Sequence, residues 1–261
     1  PCRFFDVGIA EEHALTFAAG LAKEGMIPFV AIYSSFYQRA YDQVIHDICM
    51  QNLPVIMCVD RAGIVGRDGE THQGLYDMAF FKLVPNITIM APKNFKELED
   101  MMEVAVTLEK PVVIRYPRGG ENKINKNEKI KYGKAELLEI GNDLTIISIG
   151  KTVSKAIDIS KLLSKNNISC DVINVRFLKP LDTKLILKSI NKTGKVIVIE
   201  DGTINGGLCS SIKELLVDNN ISIKAKYYAY PDEFIKHGSV EEIEEKYGLD
   251  SKSIYEDIIN L

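Results

Sequence analysis

The strongest constraint on this chain is an alternation. Short runs that are apolar throughout are separated by longer amphipathic stretches. PFVAIY at 28–33, PVIMCVD at 54–60, ITIMA at 87–91 and PVVIR at 111–115 predict strands, and FFDV at 4–7 predicts one more. A strand wetted on one face alternates polar and apolar residues, whereas one buried on both faces does not. Residues 10–23, 36–52 and 94–108 predict the intervening helices, so this part of the chain reads as a parallel sheet covered on both sides.

The pattern breaks after YPRGGE at 116–121 and gives way to a Lys- and Asn-rich stretch, 122–134, with the look of a linker. A second series follows, with strands predicted at 144–149, 170–175, 196–200 and 221–228. Helices are predicted at 153–164, 183–189 and 206–217, and two short ones at 240–247 and 251–259. The expected fold is α/β: two three-layer α/β domains with mainly parallel sheets, at 1–121 and 135–261, joined by 122–134. At 261 residues there is enough chain for two cores of that size.

With 46% hydrophobic residues and a net charge of −4, the chain is neither disordered nor electrostatically suited to nucleic acid or a membrane surface. No apolar run approaches the roughly 20 residues that span a bilayer, and no leader segment is visible. Cys2, Cys49, Cys58, Cys170 and Cys209 are odd in number and form no CxxC pair, so neither a disulfide framework nor a zinc site is expected. Cys49, Cys58 and Cys170 lie in apolar runs and are expected to be small buried hydrophobes in a reducing cytoplasm.

Arginine is distributed unevenly. Arg3, Arg39, Arg61, Arg67, Arg115 and Arg118 fall in the first 121 residues, and only Arg176 lies beyond. In a chain that otherwise uses lysine, arginine points to a need for a planar, permanently charged fork. Ligands of open parallel sheets bind outside the carboxyl ends of strands, and there the sequence is unusually polar. SSFYQR follows 28–33, RAGIVGRDGETHQG follows 54–60, and YPRG follows 111–115. The second of these is rich in glycine, which permits close approach to a ligand. It also places Asp68 four residues before His72, and a carboxylate beside an imidazole favours the protonated ring. Glu11 and Glu12, by position, are the acids expected at a helix N-terminus. In the second half, Gly202, Gly206 and Gly207 lack the GxGxxG spacing, and a structural or dimerising domain is the expectation.

FFDVGIAEEHALTFAAGLAKEG, PFVAIYSSFYQRAYDQVIHD, DRAGIVGRDGETHQG and RYPRG together closely resemble the 1-deoxy-D-xylulose-5-phosphate synthases, thiamine-diphosphate enzymes of the transketolase superfamily. The likeness extends to PDEFIKHG and YGLD near the end of the chain. It implies a pyrimidine-binding domain followed by the transketolase C-terminal domain. The implied reaction joins pyruvate to glyceraldehyde 3-phosphate, giving 1-deoxy-D-xylulose 5-phosphate and CO₂ for isoprenoid, thiamine and pyridoxal precursors. Glu11 resembles the glutamate that meets N1′ of the cofactor pyrimidine; a carboxyl group that donates there must hold its proton, while the cofactor itself does the carbanion chemistry. Phe36 resembles the ring that stacks on the pyrimidine, and Arg39 is placed near that pocket. Tyr33, Arg61 and Arg118 resemble the group that binds the substrate phosphate, for which guanidinium forks are suited. Asp68 and His72 resemble substrate contacts, with His72 a proton donor or acceptor at the carbonyl.

The family's GDG signature for diphosphate and Mg²⁺ does not occur in this chain, and the strand and helix that precede FFDV in the family are absent. Glu12 stands where the family usually has Gln. The expectation is therefore the C-terminal part of a longer, homodimeric cytoplasmic enzyme, inactive without an N-terminal domain that supplies the Mg²⁺ site, with no metal ligand in this chain. Two other readings stay open: a separately encoded transketolase-like C-terminal subunit, and a non-catalytic assembly module.

Overall fold

A computed structural model describes residues 3–259 apart from 122, 123, 125 and 127. Two five-stranded sheets organise the chain. The first has the order β1 (Phe29–Tyr33), β2 (Ile56–Asp60), β4 (Val112–Arg115), β3 (Thr88–Met90), β8 (Phe177–Lys179). The second has the order β10 (Lys224–Tyr230), β9 (Lys195–Thr203), β6 (Leu144–Ser148), β7 (Cys170–Asn174), β5 (Glu136–Glu139). Pairing is parallel except at β3–β8 and β5–β7, so each sheet carries one antiparallel edge. The fold is thus the expected pair of mainly parallel α/β units.

The apolar runs become strands because both faces are covered. Every residue of β3, β4, β6 and β7 is buried. Helices α1 (Glu11–Lys23), α4 (Phe95–Thr107), α5 (Thr152–Ser164), α6 (Thr183–Thr193) and α7 (Leu208–Asp218) supply the cover. Several ends are written locally. Asn94 and Asp182 accept from the first-turn amides of α4 and α6, and Ser239 with Glu242 forms a capping box on α8 (Val240–Lys246). Helix α9 (Ser251–Ile258) then packs on α5.

Four features depart from the sequence reading. Residues 4–7 are not a strand: among the described residues no sheet neighbour reaches them, and Phe4 and Phe5 are exposed. An apolar run becomes a strand only where another strand satisfies its amides. The helix expected at 36–52 is composite, with a 3₁₀ stretch Ser34–Ala40, one α turn α2 (Tyr41–Gln43) and a π stretch Val44–Cys49. Strands β5 and β8 and helix α3 (Asp77–Lys82) had no clear periodic signal, because each is six residues or fewer. Finally, part of the expected linker is packed: Ile130 is buried with Met90 and Phe177.

The two halves are locked together. β8 belongs by sequence to the second half yet closes the edge of the first sheet, with Ala91 N–H donating to Arg176 O at 2.9 Å. The end of β9 reaches over as well, and Thr203 N–H donates to Leu75 O at 3.0 Å. Between them lies a dry ionic cluster. Lys93 Nζ meets Glu97 Oε1 at 3.0 Å and Glu136 Oε2 at 2.7 Å, while Arg176 Nε meets Glu97 Oε1 at 2.6 Å and Nη2 meets Glu136 Oε1 at 3.1 Å. Asn174 Nδ2 donates to both carboxylates. Burial alone would raise the pKa of Glu136, but the Lys93 hydrogen bond and the Arg176 charge hold it below the usual range.

Candidate active site at the strand ends

The site grows from the segments that follow β1, β2 and β4. Tyr33 ends β1, and the chain turns at once into the 3₁₀ stretch that carries Phe36 and Arg39. The Arg39 guanidinium lies over the Phe36 ring at 4.7 Å and donates through Nη1 to Glu11 Oε1 at 2.8 Å. Glu11 opens α1 and is buried at 8% exposure, whereas half of the Arg39 side chain stays open to solvent. On the other side, Tyr33 stacks on Phe36 at 5.5 Å, and Arg61 lies over Tyr33 at 3.8 Å. His72 meets Phe36 edge-on at 5.3 Å. Six side chains that the sequence singled out are thereby joined through one ring.

The loop after β2 is closed at its root. Gly63 and Gly74 exchange backbone hydrogen bonds of 2.6 and 2.8 Å, which makes residues 63–74 a closed excursion. Both glycines are dictated by space. A Cβ on Gly63, where φ is +79°, would stand 2.1 Å from Asp201 Oδ2, and one on Gly74 would stand 2.2 Å from Arg61 O. Gln73 fills the inside: its Oε1 accepts from Val65 N–H at 2.9 Å and Gly66 N–H at 3.3 Å. Arg61 itself takes φ +55°, an uncommon conformation for a side chain of its size, with its N–H donating to Asp60 Oδ1 at 2.7 Å.

One expectation needs correction. Asp68 does not partner His72. It accepts from Arg118 Nη1 at 2.7 Å, while His72 Nδ1 lies 2.9 Å from Thr71 Oγ1. The 3₁₀ turn Gly66–Asp68 and the left-handed Gly69 that follows it interrupt the helical spacing that would have set the pair face to face. Asp68 is instead the carboxylate that occupies the Arg118 fork, at a pair whose Arg side chain is half exposed.

Sequence reasoning passed over the residues that hold this arrangement. Arg115 was noticed as an arginine, but nothing adjacent in sequence disclosed its partners Asp77 and Asp201. Gln73 gave no signal beyond its place in a Gly-rich loop. The small cavity lined by Lys93, Tyr116 and Lys151, about 60 Å³, contains none of the predicted site residues and is not this site.

Geometry and donor chemistry fit the pyrimidine end of thiamine diphosphate: a buried carboxyl group for a ring nitrogen, beside an aromatic face. Three buried polar atoms in the same stretch, Ser34 Oγ, Ser35 Oγ and Gln43 Oε1, have no hydrogen-bond partner among the described residues. Among the described residues, no group of three or more His, Cys, Asp or Glu is placed to hold a metal ion. No described helix is long and apolar enough to cross a membrane. Cys49, Cys58, Cys170 and Cys209 are all buried and unpaired; Cys2 lies outside the described residues.

Residues 1–121 match the pyrimidine binding domain of transketolase, and residues 133–254 match the transketolase C-terminal domain. The chain belongs to the transketolase family, a family of thiamine-diphosphate enzymes. Its resemblance to the 1-deoxy-D-xylulose-5-phosphate synthases is shown by curated relatives of that name. The one from Caldanaerobacter subterraneus subsp. tengcongensis is 52% identical over 99% of this chain, and the one from Halothermothrix orenii is 50% identical over all of it. In both, the match takes up 42% of the relative, so the chain spans about two fifths of the length of the proteins it resembles. Among solved structures, a protein described as a split gene transketolase, an inactive beta4 tetramer, superposes with a TM-score of 0.92 at 29% identity, covering 100% of this chain and 84% of that one. The transketolase of Campylobacter jejuni shares the fold, with a TM-score of 0.81 at 19% identity over 98% of this chain and 39% of its own.

Proposed function

We propose that this chain is the C-terminal part of a 1-deoxy-D-xylulose-5-phosphate synthase. The intact enzyme, a transferase, would condense pyruvate with glyceraldehyde 3-phosphate, releasing CO₂ and forming 1-deoxy-D-xylulose 5-phosphate for isoprenoid, thiamine and pyridoxal precursors. Residues 1–121 act as the pyrimidine-binding domain and 135–261 as the C-terminal domain, with 122–134 between them. An N-terminal domain completes the site and holds Mg²⁺, and the working form is a cytoplasmic homodimer.

The observation that carries this reading is the buried Glu11 carboxyl group tied through Arg39 to the face of the Phe36 ring. Glu11 holds a proton at the pyrimidine nitrogen. Phe36 would orient the pyrimidine by stacking, and Arg39, which pairs with Glu11 in the structure, borders the same pocket. Thiamine diphosphate supplies the carbanion chemistry when bound. Arg61 and Arg118 bind the acceptor phosphate as charged forks, and Tyr33 keeps Arg61 aligned through the cation–π contact. The phosphate takes over from Asp68 at Arg118. His72, edge-on to Phe36, gives or takes the proton at the acceptor carbonyl.

The test is pyruvate decarboxylation by the intact enzyme. Glu11→Ala should nearly abolish CO₂ release, and activity near wild type would overturn the role of Glu11. One finding favours a second reading, in which the chain is a separately encoded subunit: a solved structure of similar extent is described as a split gene transketolase. Mixing this chain with the partner chain and offering a ketose phosphate or pyruvate as two-carbon donor separates the two. Turnover of the ketose phosphate without CO₂ would establish the subunit, and pyruvate use with CO₂ the synthase. No cofactor binding with any N-terminal partner would leave the assembly module.

A further inference from the structure

Two loops carry the proposed phosphate forks: 61–74 after β2, with Arg61, and 116–121 after β4, with Arg118. Their roots touch, since Ala62 N–H donates to Tyr116 O at 3.0 Å. Beneath the contact lies Arg115, the last residue of β4, 3% exposed. Nε and Nη2 of Arg115 donate to Asp77 Oδ2 and Oδ1 at 2.8 and 3.3 Å, and Nη1 donates to Asp201 Oδ1 at 2.8 Å. Each carboxylate is anchored to the root of the other loop. Asp77 begins α3, three residues after Gly74 closes loop 61–74. Asp201, from β9 in the second half, presses its other oxygen against Gly63 so closely that only a glycine fits there.

We propose that Arg115, with Asp77 and Asp201, is a positioning clamp that sets the separation of Arg61 and Arg118, so that the second half of the chain tunes acceptor recognition through Asp201. The inference rests on the phosphate-binding reading of those two arginines. One planar guanidinium serves both loops because it presents three donors in fixed directions, which an ammonium does not. Lys151 Nζ, 3.9 Å from Asp201 Oδ2, balances the charge, leaving two cations on two carboxylates in a dry site. Arg61, held at positive φ by its surroundings, is the residue most exposed to any slackening below it. The clamp does not touch Glu11 or α1, so its effect falls on the acceptor.

Asp201→Asn keeps the shape of the side chain and removes its charge. In the intact enzyme it should raise KM for glyceraldehyde 3-phosphate on the order of tenfold, the scale expected when a binding group is misplaced by a fraction of an ångström. Decarboxylation of pyruvate alone and KM for unphosphorylated glyceraldehyde should change far less. Arg115→Lys, which keeps the charge but not the fork, should move the same parameter in the same direction, and it serves where Asp201→Asn does not accumulate folded protein. An equal fall in decarboxylation and acceptor use would overturn the clamp, because a merely structural role predicts it. Arg118→Ala separates the two layers of inference. If it raises the acceptor KM while Asp201→Asn and Arg115→Lys leave it unchanged, the clamp alone is wrong. If Arg118→Ala itself leaves KM unchanged, the phosphate reading falls and the clamp with it.

Discussion

The molecule uses arginine in two opposite ways. In the strand-end site, Arg39 and Arg118 each have one carboxylate partner and half of the side chain in water, and Arg61 lies on a tyrosine ring. Arg115, three residues before Arg118, and Arg176, in the second half, are almost fully buried and each holds two carboxylates. The residue type is the same, and the difference lies in dielectric and in saturation. A fork with spare donors at the surface can exchange its carboxylate for a phosphate at small cost, because water stabilises either state. A saturated fork in a dry interior cannot, since removing one partner strands a charge. The site is therefore built from exchangeable pairs and its frame from fixed ones.

The sharpest way to break this contrast is to strand a charge in the frame. Arg176→Met should leave Glu97 and Glu136 short of a cation and destabilise the protein by about 3–5 kcal/mol, read as a lower urea midpoint. A loss below about 1 kcal/mol would mean that water reaches the cluster and that the two classes of arginine do not differ. Arg118→Ala is the mirror case. It should change the urea midpoint by well under about 1 kcal/mol, as exposed pairs do, while sharply weakening the phosphorylated acceptor.

Acid should loosen the frame. The folded-state pKa of Glu136 is lowered, so its contribution is complete above its ordinary value of 4.5 and is lost as pH falls through the lower folded value. Asp171 behaves alike about its ordinary 3.8: burial opposes ionisation, but Lys192, Ser189 and the Gly141 amide override it. The urea midpoint should thus fall steeply below about pH 4.5, and Glu136→Gln should flatten that slope while lowering the plateau at pH 7. An unchanged slope would remove Glu136 from the frame. Asp77 runs the other way, raised by burial, because it shares Arg115 with Asp201 and is repelled by it, whereas Asp201 is held low by Arg115 and Lys151 together.

The smallest effect concerns the thiols. Burial pushes Cys49 and Cys170 up to about 12 and Cys58 to about 11. None should react with iodoacetamide at pH 8 in the native protein, while all should react once it is unfolded. Native labelling of any of these three, seen in a peptide map, would show that the frame opens.

Much of the fold was legible along the chain, because its cause is local in sequence. PVIMCVD and PVVIR are apolar without alternation, and only a strand covered on both sides tolerates that. The loops that carry Arg61, Asp68, His72 and Arg118 were legible for the same reason: they follow those strands, and their glycines and charges stand together. Where the local signal misled, a partner was missing or the spacing was interrupted. Among the described residues FFDV has no neighbouring strand to satisfy it, and the turn at Gly66–Asp68 sends Asp68 to Arg118 instead of His72.

What the sequence by itself determined was most of the order of strands and helices, the family, and the set of polar residues available at the strand ends. What only the tertiary structure decided was the division of labour among identical side chains. Arg115 finds Asp201 86 residues further along, and Arg176 finds Glu97 79 residues back. No pattern in a linear chain marks such pairs. A charge becomes a fixed strut or an exchangeable fork according to how much water the folded protein leaves around it and how many partners converge on it.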